Sequence, residues 1–130
     1  MNYCLNYFRV LYDEKFDMID FCKCLGIDYE YYKNYGTDVS MEIGRNEIYD
    51  VDINKMVRIT LKDLFGKEDV LVMLKEKYNL EYYLERVLGI YCDSVHPILS
   101  LDADIIEFLY KSKTIDDLDY YIYEGEDFDV

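Results

Sequence analysis

Residues 2–12 (NYCLNYFRVLY) are rich in aromatic and branched side chains, with apolar groups on both faces, and the run stops at Asp13-Glu14. That pattern predicts a first β-strand with neighbours on both sides. Asp17 then offers a helix N-cap, and Met18, Phe21, Cys22 and Leu25 recur at i, i+3, i+4 and i+7. Gly26 stands where a left-handed C-cap is wanted, so a short amphipathic helix spans 17–25. From Ile27 to Gly44 the periodicity dissolves among Tyr29, Tyr31, Tyr32, Tyr35 and several acids, which reads mainly as loop with Gly36 marking a turn. Glu47 to Asp52 alternates loosely. Lys55 to Leu61 sets Met56, Arg58 and Thr60 against Val57, Ile59 and Leu61, which predicts a hairpin or two short strands.

Glu68 to Tyr78 places Val70, Leu71, Leu74 and Tyr78 on one helical face, with lysines toward its end and Asn79 as a stop. Leu80 to Cys92 alternates again, with Tyr82, Leu84, Leu88, Ile90 and Cys92 on one side of a strand, and His96-Pro97 marks a loop. Ser100 is an N-cap for a third helix carrying Asp102 and Asp104 in its first turn and Leu101, Ile105, Phe108 and Leu109 as its stripe. Thr114 to Asp117 reads as a turn into an aromatic strand, Leu118 to Glu124, and residues 125–130 as a frayed acidic tail. The expected fold over 1–130 is a single α+β domain. It is a two-layer sandwich of a mixed or antiparallel sheet of about four or five strands, with three helices largely on one face. The short helix before the last strand lets that strand pair beside the preceding one.

Composition narrows the function classes. The chain has 130 residues, the size of one domain, and 28 acidic against 14 basic residues give a formal charge of -14. Such a chain repels nucleic acid and anionic lipid, so direct binding to either is not expected. The acidity is regional: Asp28 to Asp52 holds seven acids and two bases, Thr114 to Val130 seven acids and no base, and Ile53 to Asn79 six bases and four acids. No apolar run approaches the roughly 20 residues of a membrane span, and the start of the chain lacks a secretory leader pattern, so the expected setting is the cytoplasm. The thiols Cys4, Cys22, Cys24 and Cys92 are too few and too scattered for a disulfide scaffold, and Cys22-x-Cys24 has the wrong spacing for zinc or redox chemistry.

Phe8-x-Val10, Phe16-Asp17, Leu25-Gly26-Ile27, Tyr35-Gly36, Pro97-x-Leu99-Ser100 and Asp119-x-Tyr121 recur in order along the chain. With these motifs it resembles a bacterial domain-of-unknown-function family of small α+β proteins; the central-strand tryptophan of that family has no counterpart here, since the chain has no Trp. The resemblance implies the fold and carries no settled activity, although small acidic proteins of this kind look like the immunity partners of secreted toxins.

No catalytic, cofactor or metal site stands out. Asp93, Ser94 and His96 are consecutive loop neighbours before Pro97, not a nucleophile, base and oriented acid, so an enzyme is not expected. The acid pairs Asp50/Asp52, Asp102/Asp104 and Asp116/Asp117 lack calcium-loop spacing, and there is no phosphate-cradling glycine loop. Tyr3, Tyr7, Tyr82 and Tyr91 read as core or sheet-face residues. The loop tyrosines Tyr29, Tyr31, Tyr32 and Tyr35 are harder to bury together, and tyrosine is an interface residue of choice. The partner-binding candidates are those four with Asp116, Asp117, Asp119, Glu124, Glu126 and Asp127. The expected function is protein binding of the immunity or inhibitor type, directed at a basic partner such as a nuclease toxin. The alternatives are a phage-type DNA mimic or host-defence inhibitor, and an uncharacterised enzyme. An exposed aromatic last strand can also pair with a copy of itself.

Overall fold

The computed structural model describes residues 3–49, 52–91 and 100–123. Strands β1 (Tyr3–Leu11), β2 (Ser40–Tyr49), β3 (Glu81–Tyr91) and β4 (Thr114–Tyr123) form one sheet in the order β2-β1-β3-β4. β1 is antiparallel to both its neighbours, and β3 and β4 are parallel, so the sheet is mixed and the first strand is internal, as its two apolar faces require. Helices α1 (Met18–Leu25), α2 (Tyr29–Tyr32), α3 (Ile53–Leu61), α4 (Glu68–Tyr78) and α5 (Ala103–Lys111) complete the α+β domain, with a 3-10 turn at Lys33–Tyr35. The core joins Phe21, Leu25, Val57, Leu61, Leu71, Leu74, Ile105 and Phe108 of the helices to Phe8, Val10, Met41, Ile43, Tyr82 and Leu84 of the sheet. These strand residues alternate with Tyr7, Arg9, Glu42, Tyr83 and Glu85, which lie on the other face and take no part in the core. Tyr82, fully buried, packs its ring 5.3 Å from Phe8 and donates its hydroxyl to the Leu71 carbonyl at 2.7 Å, which ties α4 to the sheet.

Local signals explain the elements that form where periodicity places them. Asp17 accepts from the Asp20 amide at 3.1 Å, Gly26 closes α1 at φ 70°, and the Lys67 ammonium donates to the Leu25 carbonyl at 2.5 Å. Asn79 ends α4 at φ 55°. Cys22 is buried and Cys24 exposed, as residues two apart on a helix must be.

Four expectations are corrected. Lys55 to Leu61 is helix, not strand: Asp52 caps it by accepting from the Lys55 amide at 3.0 Å, and the buried residues Ile53, Met56, Val57, Thr60 and Leu61 follow the helical period. Residues 27–44 are not mainly loop, because Asp28 caps the single turn of α2 and β2 begins at Ser40. Among the described residues the helices therefore number five, not three. Ser100 is not the cap of α5. That place falls to Asp102, whose amide donates to Asn54 Oδ1 at 2.8 Å, while Asn54 Nδ2 donates to the Ser100 carbonyl at 3.1 Å. Finally, Thr114 to Asp117 is already strand; the reversal falls on Ser112 and Lys113, the latter at φ 56°.

The seat of α3 on β2 is unusually close. Opposite Tyr7, β2 places two residues, Gly44 and Arg45, where one would suffice, a bulge with Gly44 at φ 68°. A Cβ at Gly44 would collide with the Thr60 carbonyl, so both the dihedral and the space demand glycine. Asn46, two residues on, donates to the Met56 carbonyl at 2.9 Å and to Thr60 Oγ1 at 2.6 Å.

Two outcomes follow from this packing. Gly44→Ala should destabilise the fold by about 3 kcal/mol or more in chemical denaturation, because strain at positive φ and a backbone clash add. Asp20 sits between the Lys77 ammonium (2.8 Å) and the Tyr78 hydroxyl (2.6 Å), which hold its carboxyl below the usual carboxylate range. A depressed folded value contributes stability above the unfolded value and loses it as pH falls. Asp20→Asn should therefore lower stability at neutral pH, with the difference shrinking as pH drops through the carboxylate range; a pH-independent difference in denaturation midpoints would contradict the assignment.

Candidate functional site

A groove of about 610 Å³ opens where the α2 turn, the β2 bulge and the C-terminal end of α3 meet. Asp28 starts α2 by accepting from the Glu30 amide at 3.0 Å, and one turn of helix followed by a 3-10 turn then distributes the tyrosines. Tyr32 points inward and is 8% exposed; burial, with Asp63 adding, pushes its pKa up to about 12. Tyr31 and Tyr35 stay at the mouth, 54% and 41% exposed, with ring centroids 5.1 Å apart. Tyr31 also meets Tyr32 edge-on at 4.9 Å, so the three rings form one aromatic wall. Tyr29 packs against the core on the other side of the turn, 5.9 Å from the Lys33 ammonium.

The opposite wall comes from Glu42, Gly44 and Arg45 of β2 and from Ile59, Thr60, Lys62 and Asp63 at the end of α3. Glu42 already neutralises Arg45 at 3.1 Å, whereas among the described residues neither Asp28 nor Asp63 has an ion-pair partner. Among the described residues the groove is thus an aromatic cleft in which Asp28, Asp63 and Lys62 make no ion pair. It is a place for a cationic side chain to insert: rings supply cation–π faces and carboxylates supply charge-assisted acceptors.

Arg45 links the groove to the open face of the sheet, its guanidinium 5.4 Å from the Tyr7 ring centroid. That face carries tyrosines paired with acids. Tyr3 donates to Glu47 at 2.8 Å and Tyr83 to Glu81 at 2.6 Å, and Arg9 bonds Glu85 at 3.0 Å while lying 4.7 Å over Tyr83. Burial and a shared hydrogen bond with Asp117 hold the Glu85 carboxyl above its ordinary value. Asp117 and Asp119 belong to this face, on the strand farthest from the groove.

Asp116 is placed differently from its two strand neighbours. It accepts from Arg86 Nε at 2.8 Å and Nη2 at 2.7 Å, and the Arg86 side chain is only 3% exposed on the helix-covered face. The pair is a fork holding a buried cation, so the carboxylate of Asp116, though itself solvent-accessible, is committed to Arg86. The structure therefore brings Tyr31, Tyr32 and Tyr35 together at the groove and separates them from Asp117 and Asp119. Glu124, Glu126, Asp127, Cys92, Asp93, Ser94 and His96 lie outside the described residues. Asp28, Asp63, Arg45 and Tyr83 were not singled out by sequence reasoning, whereas Tyr3 and Tyr7 lie on the sheet face as expected; the one local signal for the groove was the acidic flank of the tyrosine cluster. Among the described residues, no three His, Cys, Asp or Glu side chains gather as a metal site would need, and no helix is long and apolar enough to cross a membrane. No family model, curated protein or solved structure matches the chain.

Asp116→Ala takes the forked acceptor away from the buried Arg86 guanidinium. Asp116→Ala should cost on the order of 3 kcal/mol in denaturation experiments, whereas Asp119→Ala, on the exposed face, should stay within about 0.5 kcal/mol of the parent.

Proposed function

We propose that this chain is an acidic protein-binding module of the immunity or inhibitor type, which seats a basic segment of its partner, such as a nuclease toxin, in the aromatic groove. The observation that carries the reading is the pairing of half-exposed Tyr31 and Tyr35 with the carboxylates of Asp28 and Asp63 in one cleft. Rigid aromatic side chains give contact area at low entropy cost, and the charge of -14 steers a cationic partner toward the protein from a distance. Membership of the small α+β family suggested by the scaffold motifs fits this reading, as does a cytoplasmic setting, where the thiols Cys22 and Cys24 stay reduced. A DNA mimic needs long rows of carboxylates. On the open face Arg9, Arg45 and the tyrosines interrupt such rows, so the groove reading is preferred.

The test is a titration by calorimetry against inactive forms of basic nuclease toxins. Binding should be tight at low salt and weaken steeply as salt rises, and the double variant Tyr31→Ala/Tyr35→Ala should bind about 100-fold more weakly. Absence of binding at low salt would overturn the function. Undiminished binding by the double variant would move the contact away from the groove.

A further inference from the structure

The two edges of the sheet are not alike. β2 is blunted by the bulge at Gly44, by the bridge from Gly36 to Met41 and by the packing of α2 and α3 along it. β4 is hydrogen-bonded to β3 on one side and, among the described residues, to no strand on the other. Its first half is protected by charge, through Asp116, Asp117 and Asp119, but Tyr120 to Tyr123 is a run of four uncharged residues of high β-propensity.

The helix layer does not reach that second half. Tyr120 and Ile122 stand in register with Leu88 and Ile90, which face the core, yet they are 52% and 59% exposed, while Leu118 is half-buried against the core. The cause is length: the nine residues of α5 rise about 14 Å and the ten of β4 about 33 Å, so the helix covers only part of its strand.

We infer that β4 pairs with β4 of a second copy, antiparallel about a two-fold axis within Tyr120–Tyr123, which joins two four-stranded sheets into one of eight strands. A second copy fits because the segment matches itself: antiparallel about the axis, uncharged side chains meet uncharged side chains and one open ladder edge meets another. Among the described residues each chain has one unguarded edge, which yields a closed pair and not a fibre. Acids flank the segment on both sides in sequence, Asp119 before it and Glu124 after it, and each copy carries -14. The pair is therefore weak at low salt and strengthens as salt screens the repulsion. That dependence is opposite in sign to capture of a basic partner, and the groove lies at the far edge of the sheet, so the two ideas stand or fall separately.

Sedimentation equilibrium of the full chain, from micromolar to millimolar and at low and high salt, tests it. A monomer–dimer equilibrium should appear, with the dimer favoured by salt, and Ile122→Lys should weaken it at least about tenfold while leaving the circular dichroism spectrum unchanged. Tyr110→Lys, at an exposed aromatic on α5 that is 83% accessible, should leave it intact. Amide exchange should show protection in β4 that rises with concentration. A chain that stays monomeric at millimolar concentration in high salt, a dimer insensitive to Ile122→Lys, or concentration-dependent protection elsewhere than β4 would overturn the inference.

Discussion

The approach of α3 to β2 governs both the packing and the site. Because Gly44 has no side chain and takes a left-handed dihedral, the Thr60 carbonyl can lie against the strand, and Asn46 can reach the Met56 carbonyl and the Thr60 hydroxyl at once. The bulge that admits this contact also turns Arg45 toward Tyr7 and Glu42. The groove is what remains beside that contact. Gly44 and Thr60 line it, the tyrosine turn closes it, and any substitution that pushes the helix outward would open it and lose the aromatic wall.

A sheet covered on one face only must solvate the other, and here tyrosine and carboxylate share the task. The rings of Tyr3, Tyr7 and Tyr83 shield backbone and apolar neighbours, and acids or arginines meet their hydroxyls and faces. An acidic excess then follows from architecture as well as from any partner. Glu85 shows the tension, since its desolvated carboxyl must share Asp117 and Arg9 to remain on the sheet.

Legibility followed the range of the signal. α1 and α4 were readable because their caps, stripes and stops lie within a dozen residues. α3 was misread because Val57, Ile59 and Thr60 favour strands and alternate with a period of two; the competing period of 3.6 through Ile53, Met56, Val57, Thr60 and Leu61 rests on burial that only the tertiary contact with β2 supplies. A single turn such as α2 is shorter than any period that could announce it. The tyrosines of the groove could be flagged as a local cluster, but their opposing wall comes from Glu42, Arg45 and Asp63, brought in by two other parts of the chain. The burial of Arg86 was readable in principle: strict alternation through Leu84 and Leu88 puts residue 86 on the covered face, and an arginine there calls for an acid on the next strand.

That buried arginine couples the two ends of the folding process. Arg86 sits on β3, beside the internal strand β1, while the carboxylate that neutralises it arrives on β4, after α5 has been made. Until β4 docks, a three-stranded sheet would hold a cation on its inner face without its forked acceptor, and it has reason to stay open there to water. Docking of β4 on β3 is thereby tied to the placement of a charge on the covered face of the sheet.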